Sequence, residues 1–371
     1  MAFLKRVSLR GYRSIKDMDL ELGPLNVLIG ANGAGKSNFV SFFKMLNEMM
    51  AGRLQQHVAA SGRAKSLLYL GPKVTPQLEA TLQFDAESGA DTYHMRLFHA
   101  ANDTLVFADE VLDFRKQGWQ GPQRPPMSIG AGHQETRIAD LATQGNQTAK
   151  VFRHILDDCR VYHFHDTSPT ARVRQHGYVG DNRWLMADAG NLAAVLYACR
   201  QQAEPVYRRI VSTIRKIMPE FADFDLEPDR LNPKEIALNW RRVGTDYLFG
   251  PHQVSDGTLR AMAIMTLFLQ PEADLPGVII LDEPELGLHP HGLQIIAGLI
   301  RAASSTSQVI VATQSQTFLE HFQPSEIVVV EATGGSSHFR RLDEMDLHDW
   351  LADYTIGELW EKNVLGGGPL S

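Results

Sequence analysis

Gly30-Ala31-Asn32-Gly33-Ala34-Gly35-Lys36-Ser37 sits between a short apolar run, Leu25 to Ile29, and a Gly- and Pro-free stretch, Ser37 to Met50, rich in Phe and Met. The run reads as a strand that ends at Gly30, and the stretch as a helix buried on most sides. The octet fits G-x-x-x-x-G-K-[S/T] in the strand-then-helix setting that the pattern requires. Its glycines let backbone N–H groups turn inward around phosphates, and the helix N-terminus adds favourable electrostatics. Lys36 is placed to reach β- and γ-phosphates, and the Ser37 hydroxyl to ligate Mg²⁺. A glycine-rich turn with a chance lysine is the bland alternative, and the flanking elements argue against it.

Upstream, Phe3 to Arg10 and Ile15 to Leu22 alternate apolar and polar positions around a turn containing Gly11. Residues 51–80 are ambiguous, and alternation returns between Gln77 and Phe107, as edge strands of the same domain. Residues 117–135 hold Gly, Pro and Gln at loop density. Residues 136–235 read as mainly helical, notably Asn191 to Arg200 and Val206 to Met218. Ile236 to Trp240 alternates, Ser255 to Gln270 reads as a long apolar helix, and Val278 to Leu281, Val309 to Ala312 and Ile327 to Val330 read as strands covered on both faces. The expected domains are 1–115, the first part of a nucleotide-binding domain; 116–235, an inserted, mainly helical lobe; and 236–371, the remainder of the first domain. No repeat and no heptad pattern is present.

Val278-Ile279-Ile280-Leu281-Asp282-Glu283-Pro284 places two carboxylates at the tip of a buried strand. Alone, such a tip is more often a solvated strand end. Beside a phosphate loop it gains meaning, because parallel α/β strands present their carboxyl ends to the ligand crevice. Asp282 suits Mg²⁺, through water, and Glu283 suits orienting or deprotonating an attacking water. Some twenty residues before the acidic strand, Ser255 suits a helix N-cap. A capped helix start is either a plain cap or an anion site for a γ-phosphate.

Composition narrows the rest. The 371 residues carry net charge -7, 44% hydrophobic and 21% charged residues, so the surface as a whole does not favour nucleic acid or anionic membrane, although a local basic patch is compatible with that balance. Two cysteines, Cys159 and Cys199, lack CxxC spacing and read as reduced thiols. The charged N-terminus does not read as a signal peptide, and no apolar run approaches the ~20 residues that span a bilayer. A cytoplasmic protein without membrane contact is expected. His163 and His165 share a strand face beside Asp166, as a structural pair or a metal site without a diagnostic third ligand. Arg172, Arg174, Arg183, Arg208-Arg209, Arg215-Lys216 and Arg241-Arg242 read either as solvated faces or as a DNA-contacting surface, whose binding would fall steeply with salt.

Ser255-Asp256-Gly257-Thr258 resembles the signature motif of ABC-type ATPases, Glu285-Leu286-Gly287-Leu288-His289-Pro290 their D-loop, and Val309 to Ser315 their switch strand. Gly35-Lys36-Ser37-Asn38, with Gly11-Tyr12-Arg13-Ser14, is similar to the RecF/SMC/OLD branch. Closer still, residues 162–168, 190–194, 255–260 and 357–363 look like bacterial ATPases of that branch without coiled coil or TOPRIM nuclease domain. The resemblance covers most of the chain and is weakest between about 50 and 150. It implies an α/β fold, an ABC-type P-loop NTPase head with a mixed β-sheet core and an inserted mainly helical lobe.

The resemblance further implies that ATP and Mg²⁺ are bound by Arg13, Asn32, Gly33, Ala34, Gly35, Lys36, Ser37 and Asn38 of one chain and by Ser255, Asp256 and Gly257 of a second copy, head to tail. Ser37 and Asp282 would hold the metal, and Glu283, Gln314 and Lys36 would carry catalysis. Gln314 stands where the family usually has His; it can hydrogen-bond a phosphate or water but carries no charge. The Q-loop glutamine is Gln55, Gln56, Gln77 or Gln83. DNA repair or antiviral defence is the implied setting. About 40 residues follow Val330, too few for a TOPRIM domain, so a nuclease would be a separate effector. Two other readings compete. A nucleotide sensor with negligible turnover fits Gln314, whereas a transporter-type subunit is disfavoured by the more than 200 residues between Lys36 and Ser255.

Overall fold

The computed structural model describes residues 2–87, 89–118, 121, 125–342, 347, 350 and 353–368. Strands β1 (Phe3–Tyr12), β2 (Ile15–Glu21) and β3 (Leu25–Ile29) precede helices α1 (Lys36–Met50), α2 (Leu54–Ala60) and α3 (Ala64–Leu67). Strands β4 (Gln77–Ala86), β5 (Gly89–Ala100), β6 (Thr104–Lys116) and β7 (Met127–Ser128) follow, then α4 (Ile138–Thr143), α5 (Gln147–Asp157) and β8 (Cys159–Tyr162). Next come β9 (Gly177–Tyr178), α6 (Leu192–Gln202), α7 (Glu204–Ile217), β10 (Phe221–Asp225), β11 (Glu235–Ile236), β12 (Asn239–Arg242) and β13 (Leu248–Phe249). The last part holds α8 (Asp256–Leu269), β14 (Val278–Asp282), α9 (Pro290–Ala303), β15 (Gln308–Thr313), α10 (Gln316–Leu319), β16 (Ile327–Thr333), β17 (Ser336–Arg341) and a helix over Ile356–Glu361.

The chain divides into two compact units. The first comprises Met1–Val161, Pro276–Ile280 and Ser307–Ser371, the second Tyr162–Leu275 and Leu281–Thr306. Two six-stranded sheets organise the first. One is ordered β2-β1-β4-β5-β6-β7 and antiparallel; the other is ordered β17-β16-β3-β15-β14-β8, with β15 and β16 parallel to β3. All five residues of β3 and all six of β15 are buried, which explains why both are apolar apart from Asn26, Gln308 and Thr313.

Helix α1 is held between the two sheets by aromatic contacts. Phe39 meets Phe339 of β17, with ring centroids 5.7 Å apart, while Phe42 meets Tyr12 of β1 edge-on at 5.9 Å. Eight apolar residues of α1 are buried, so the helix is enclosed on most sides, as its composition predicts. This enclosure fixes where α1 begins, and therefore where the glycine-rich loop before it must turn.

Three local expectations change. Gly11 lies inside β1 rather than in the turn, which falls at Arg13-Ser14; its φ of 72° and the crowding of Gln77 and Thr75 leave no room for a Cβ. Strand β6 runs on to Lys116, and part of the expected loop at 117–135 (119–120 and 122–124) lies outside the described residues. Between Asp158 and Asn191, where mainly helix was expected, most of the backbone is irregular. Side chains satisfy several of its polar groups. Asn191 donates to the carbonyls of Asp181 and Trp184, at 2.7 and 2.8 Å, and accepts from the Met186 N–H. The second unit is completed by α6–α9 with the small sheets β10-β12-β13 and β9-β11.

Asp91 on β5 is 2% exposed, and its Oδ1 has no hydrogen-bond partner among the described residues. Burial pushes its carboxyl up to about 6 from an ordinary 3.8. Between those values the folded chain holds a proton that the unfolded chain has released, so stability falls as pH rises through this window. Asp91→Asn removes that loss. Above pH 6.5 it should stabilise the fold by on the order of 3 kcal/mol relative to its effect at pH 4, measured by urea unfolding at both pH values.

Candidate functional site

The loop between β3 and α1 takes the left-handed backbone that its glycines permit, with φ of 78° at Gly33 and 117° at Gly35, the residue that caps α1. A Cβ on Gly30 would overlap the Val330 carbonyl, and one on Gly35 would overlap the Ser337 hydroxyl, whereas one on Gly33 would meet open space. The loop is thus packed at both ends and open in the middle. Lys36, 5% exposed, folds back over it and donates from Nζ to the carbonyls of Gly30 at 2.6 Å and Ala31 at 3.2 Å. Asn32, Gly33 and Ser37 are exposed, and Ala34 and Gly35 are buried.

Asn38 ties the start of α1 to the β1–β2 turn. Its Nδ2 donates to Ser14 Oγ at 2.6 Å, and Ser14 Oγ meets Ser337 Oγ at 2.6 Å. Arg13 precedes Ser14 with φ 49°, its N–H donating to the Leu67 carbonyl at 2.8 Å. Its buried Nε has no hydrogen-bond partner among the described residues. The Arg13 Cζ lies 5.8 Å from the centroid of the Tyr12 ring. Gln314, at the exit of β15, is half-buried and lines a cavity of about 610 Å³ together with Ala31, Asn32 and Ala34. Of the glutamines considered for the Q-loop, Gln55 donates to the Leu105 and Gln134 carbonyls, and Gln77 opens β4 against Gly11.

In the second unit the acidic tip and the signature segment are knit together. His165 Nε2 bonds the Asp282 carbonyl at 2.8 Å, and Glu283 follows with φ 43°, a left-handed position that costs a non-glycine residue roughly 1–2 kcal/mol. Asp282 and Glu283 are both half-buried. Ser255 caps α8, accepting from the Thr258 N–H at 3.2 Å, and it is exposed. Gly257 is buried against Gly287, whose carbonyl occupies the space a Cβ would need. At this point the signature helix and the D-loop meet backbone to backbone.

Two arginines supply the rest of this scaffold. Arg260 donates to the carbonyls of Phe164 at 3.0 Å, His165 at 2.9 Å and Leu286 at 3.1 Å. Arg174 donates to the carbonyls of Thr167, Pro251 and Val254 and to the Asp256 carboxylate at 2.6 Å. That hydrogen bond holds the Asp256 carboxyl below the usual carboxylate range. Arg174, 6% exposed, is therefore no part of a DNA-facing surface. Of the other basic residues, Arg172 pairs with Asp188, Arg208 with Glu204 and Arg241 with Asp225. Among the described residues no group of three His, Cys, Asp or Glu is arranged to hold a metal, and His165 is engaged with the Asp282 carbonyl. Sequence reasoning missed the scaffolding roles of Arg174, Arg260 and Ser337; only the position of Arg260 at the end of the signature segment gave a cue.

Residues 185–320 match the family described as "AAA domain, putative AbiEii toxin, Type IV TA system". The chain is 46% identical over 353 residues to an OLD nuclease of Thermus scotoductus, covering 85% of this chain and 60% of that protein. The chain thus spans less than two thirds of this relative's length. Among solved structures, the fold is similar to an Smc head bound to the C-winged helix domain of ScpA (TM-score 0.63, 16% identity, 94% of this chain and 99% of that one). It is likewise similar to a Pyrococcus furiosus Smc head with an extended coiled coil, bound to the C-terminal domain of ScpA (TM-score 0.63, 15% identity, 95% and 99%). The mixed α/β fold is that of an SMC-type ATPase head. Within that fold, the sequence is similar to the RecF/SMC/OLD branch. Among the described residues no helix is long and apolar enough to cross a membrane.

Replacing Arg174 by Met should orphan the Thr167, Pro251 and Val254 carbonyls. The expected cost is about 3 kcal/mol, read by urea unfolding, with faster amide exchange over residues 251–260 and no change at residues 30–37.

Proposed function

We propose that the protein is an ATP-hydrolysing switch whose two copies close head to tail around two ATP molecules. The observation that carries this reading is the exposed, Ser255-capped start of α8, an anion site within the same unit as Asp282 and Glu283. Around each nucleotide, Asn32 to Asn38 and Arg13 of one copy hold the phosphates, with Lys36 on the β- and γ-oxygens. Ser255, Asp256 and Gly257 of the other copy face the γ-phosphate. Ser37 and Asp282 would hold Mg²⁺, which when bound draws off charge from the β- and γ-oxygens. Glu283 takes the proton of the attacking water, and Gln314 orients that water or the γ-phosphate through a neutral hydrogen bond. A neutral amide stabilises developing negative charge less than an imidazolium does, so turnover is slow. Loss of the γ-phosphate removes the bridge between Lys36 and the partner copy's Ser255, and the pair opens.

The likeness to an OLD nuclease supports a role in defence against foreign DNA or in DNA repair, with the switch gating a nuclease activity carried outside residues 1–371. DNA itself is the proposed trigger, contacted through the exposed Arg183, Arg208-Arg209 and Arg215-Lys216. A cytoplasmic location follows from that role.

Lys36→Ala should abolish binding of a fluorescent ATP analogue. Glu283→Gln should retain ATP, release phosphate at least a hundredfold more slowly, and accumulate as a dimer by light scattering. A Glu283→Gln chain that stays monomeric with saturating Mg-ATP would overturn the pairing. Wild-type phosphate release at background level, with and without DNA, would instead favour a sensor with negligible turnover.

A further inference from the structure

The segment from Thr355 to Gly368 is not assigned any part in the site, yet it touches both elements that face the γ-phosphate. At one end, helix Ile356–Glu361 packs on α10, the short helix that Ser315 caps one residue after Gln314. Gly357 makes this approach close; a Cβ there would lie 2.9 Å from Gln316 Cγ and 3.1 Å from the Gln316 carbonyl oxygen. Gln316 Nε2 donates to Glu361 Oε2 at 3.1 Å, and Trp360 lines the cavity beside Gln314 with a buried indole N–H that has no partner among the described residues.

At the other end, Gly366 and Gly367 have φ of 77° and 69° and lie against Glu331 and against Val329 and Val330 of β16. Arg340 on β17 donates to the Leu365 carbonyl at 2.8 Å, and the Gly368 N–H donates to Asn363 Oδ1 at 3.0 Å. The Gly367 carbonyl then accepts from the Ala31 N–H at 2.7 Å. That N–H belongs to the same peptide group as the Gly30 carbonyl, which accepts from Lys36 Nζ at 2.6 Å. One peptide plane is thus held from both sides, its oxygen by the phosphate-binding lysine and its N–H by the tail. Hydrogen bonds on the two ends of one amide polarise each other, and together they fix the plane's rotation.

We propose that the 355–368 segment is a strap that positions the phosphate loop and the switch glutamine, with Gly367 acting on Lys36 through the Gly30–Ala31 peptide and Gly357 acting on Gln314 through α10. The inference rests on the ATP-switch reading. It separates two effects that a generally stabilising tail would not separate. A side chain at Gly367 displaces the carbonyl from Ala31, loosens the loop that both ADP and ATP share, and leaves the acidic tip untouched. A side chain at Gly357 shifts α10 and Gln314 and leaves the loop in place.

The test compares Gly367→Val, Gly357→Val and Gly145→Val, the last a strain control. Gly145 also has a left-handed φ, 95°, but its Cβ would meet nothing within 4 Å. Affinity for ADP and ATP is measured by titration, kcat by phosphate release at saturating Mg-ATP, and Tm for each chain. Gly367→Val should weaken ADP and ATP binding alike by tenfold or more with kcat within threefold. Gly357→Val should leave ADP affinity within twofold and lower kcat tenfold or more. Either variant matching Gly145→Val in both quantities, or moving affinity and kcat together in proportion to its loss of Tm, overturns the strap. Wild-type protein that binds no ATP defeats the underlying reading instead; wild-type protein that binds without turnover leaves the Gly367 affinity comparison to decide.

Discussion

A lysine ammonium almost removed from water has to be met by oxygens, and in this chain the carbonyls of Gly30 and Ala31 meet Lys36. Those two carbonyls point at one spot only because the loop turns through left-handed glycines, and the loop turns there because α1 cannot start anywhere else. Phe39 and Phe42 lock α1 to β17 and β1 at once, so a shift of the helix by one residue would remove both rings from their partners. Charge, backbone conformation and aromatic packing thus converge on one position for the phosphate loop, and each constrains the other two.

The second unit solves a different problem, that of bringing a helix start and a strand tip together. Backbone contact at Gly257–Gly287 and the two guanidinium forks of Arg174 and Arg260 do this. An arginine that satisfies three carbonyls removes the backbone penalty of an irregular segment, and its planar fork fixes their spacing. This is why the stretch from Asp158 to Asn191 can be largely irregular and still be ordered around the acidic tip.

What could be read from residue order follows the range of the interactions involved. The phosphate loop, the buried strands β3, β14 and β15, and the Ser255 cap are local patterns of a few residues, and they stand where the sequence places them. Gly11, the irregular 158–191 stretch and the tail at 366–368 are decided by partners far along the chain: Gln77 for Gly11, Pro251 and Val254 for Arg174, Ala31 for Gly367. A basic residue reads the same whether it faces solvent or is itself buried among acceptors, which is why Arg174 groups with candidate DNA contacts in the sequence.

The central claim is that each ATP site is built from two copies, with the phosphate loop of one and the Ser255 helix of the other. Mixing two separately inactive chains, Lys36→Ala and Ser255→Arg, tests it directly. In a mixed pair one site regains an intact Lys36 from one chain and an intact Ser255 from the other, while the second site carries both lesions. Only the mixed pair keeps an intact bridge, with one working site of two, so the account predicts phosphate release from the equimolar mixture well above either chain alone and at most about half that of wild type. A mixture no more active than its two components, although both bind to each other, would contradict it.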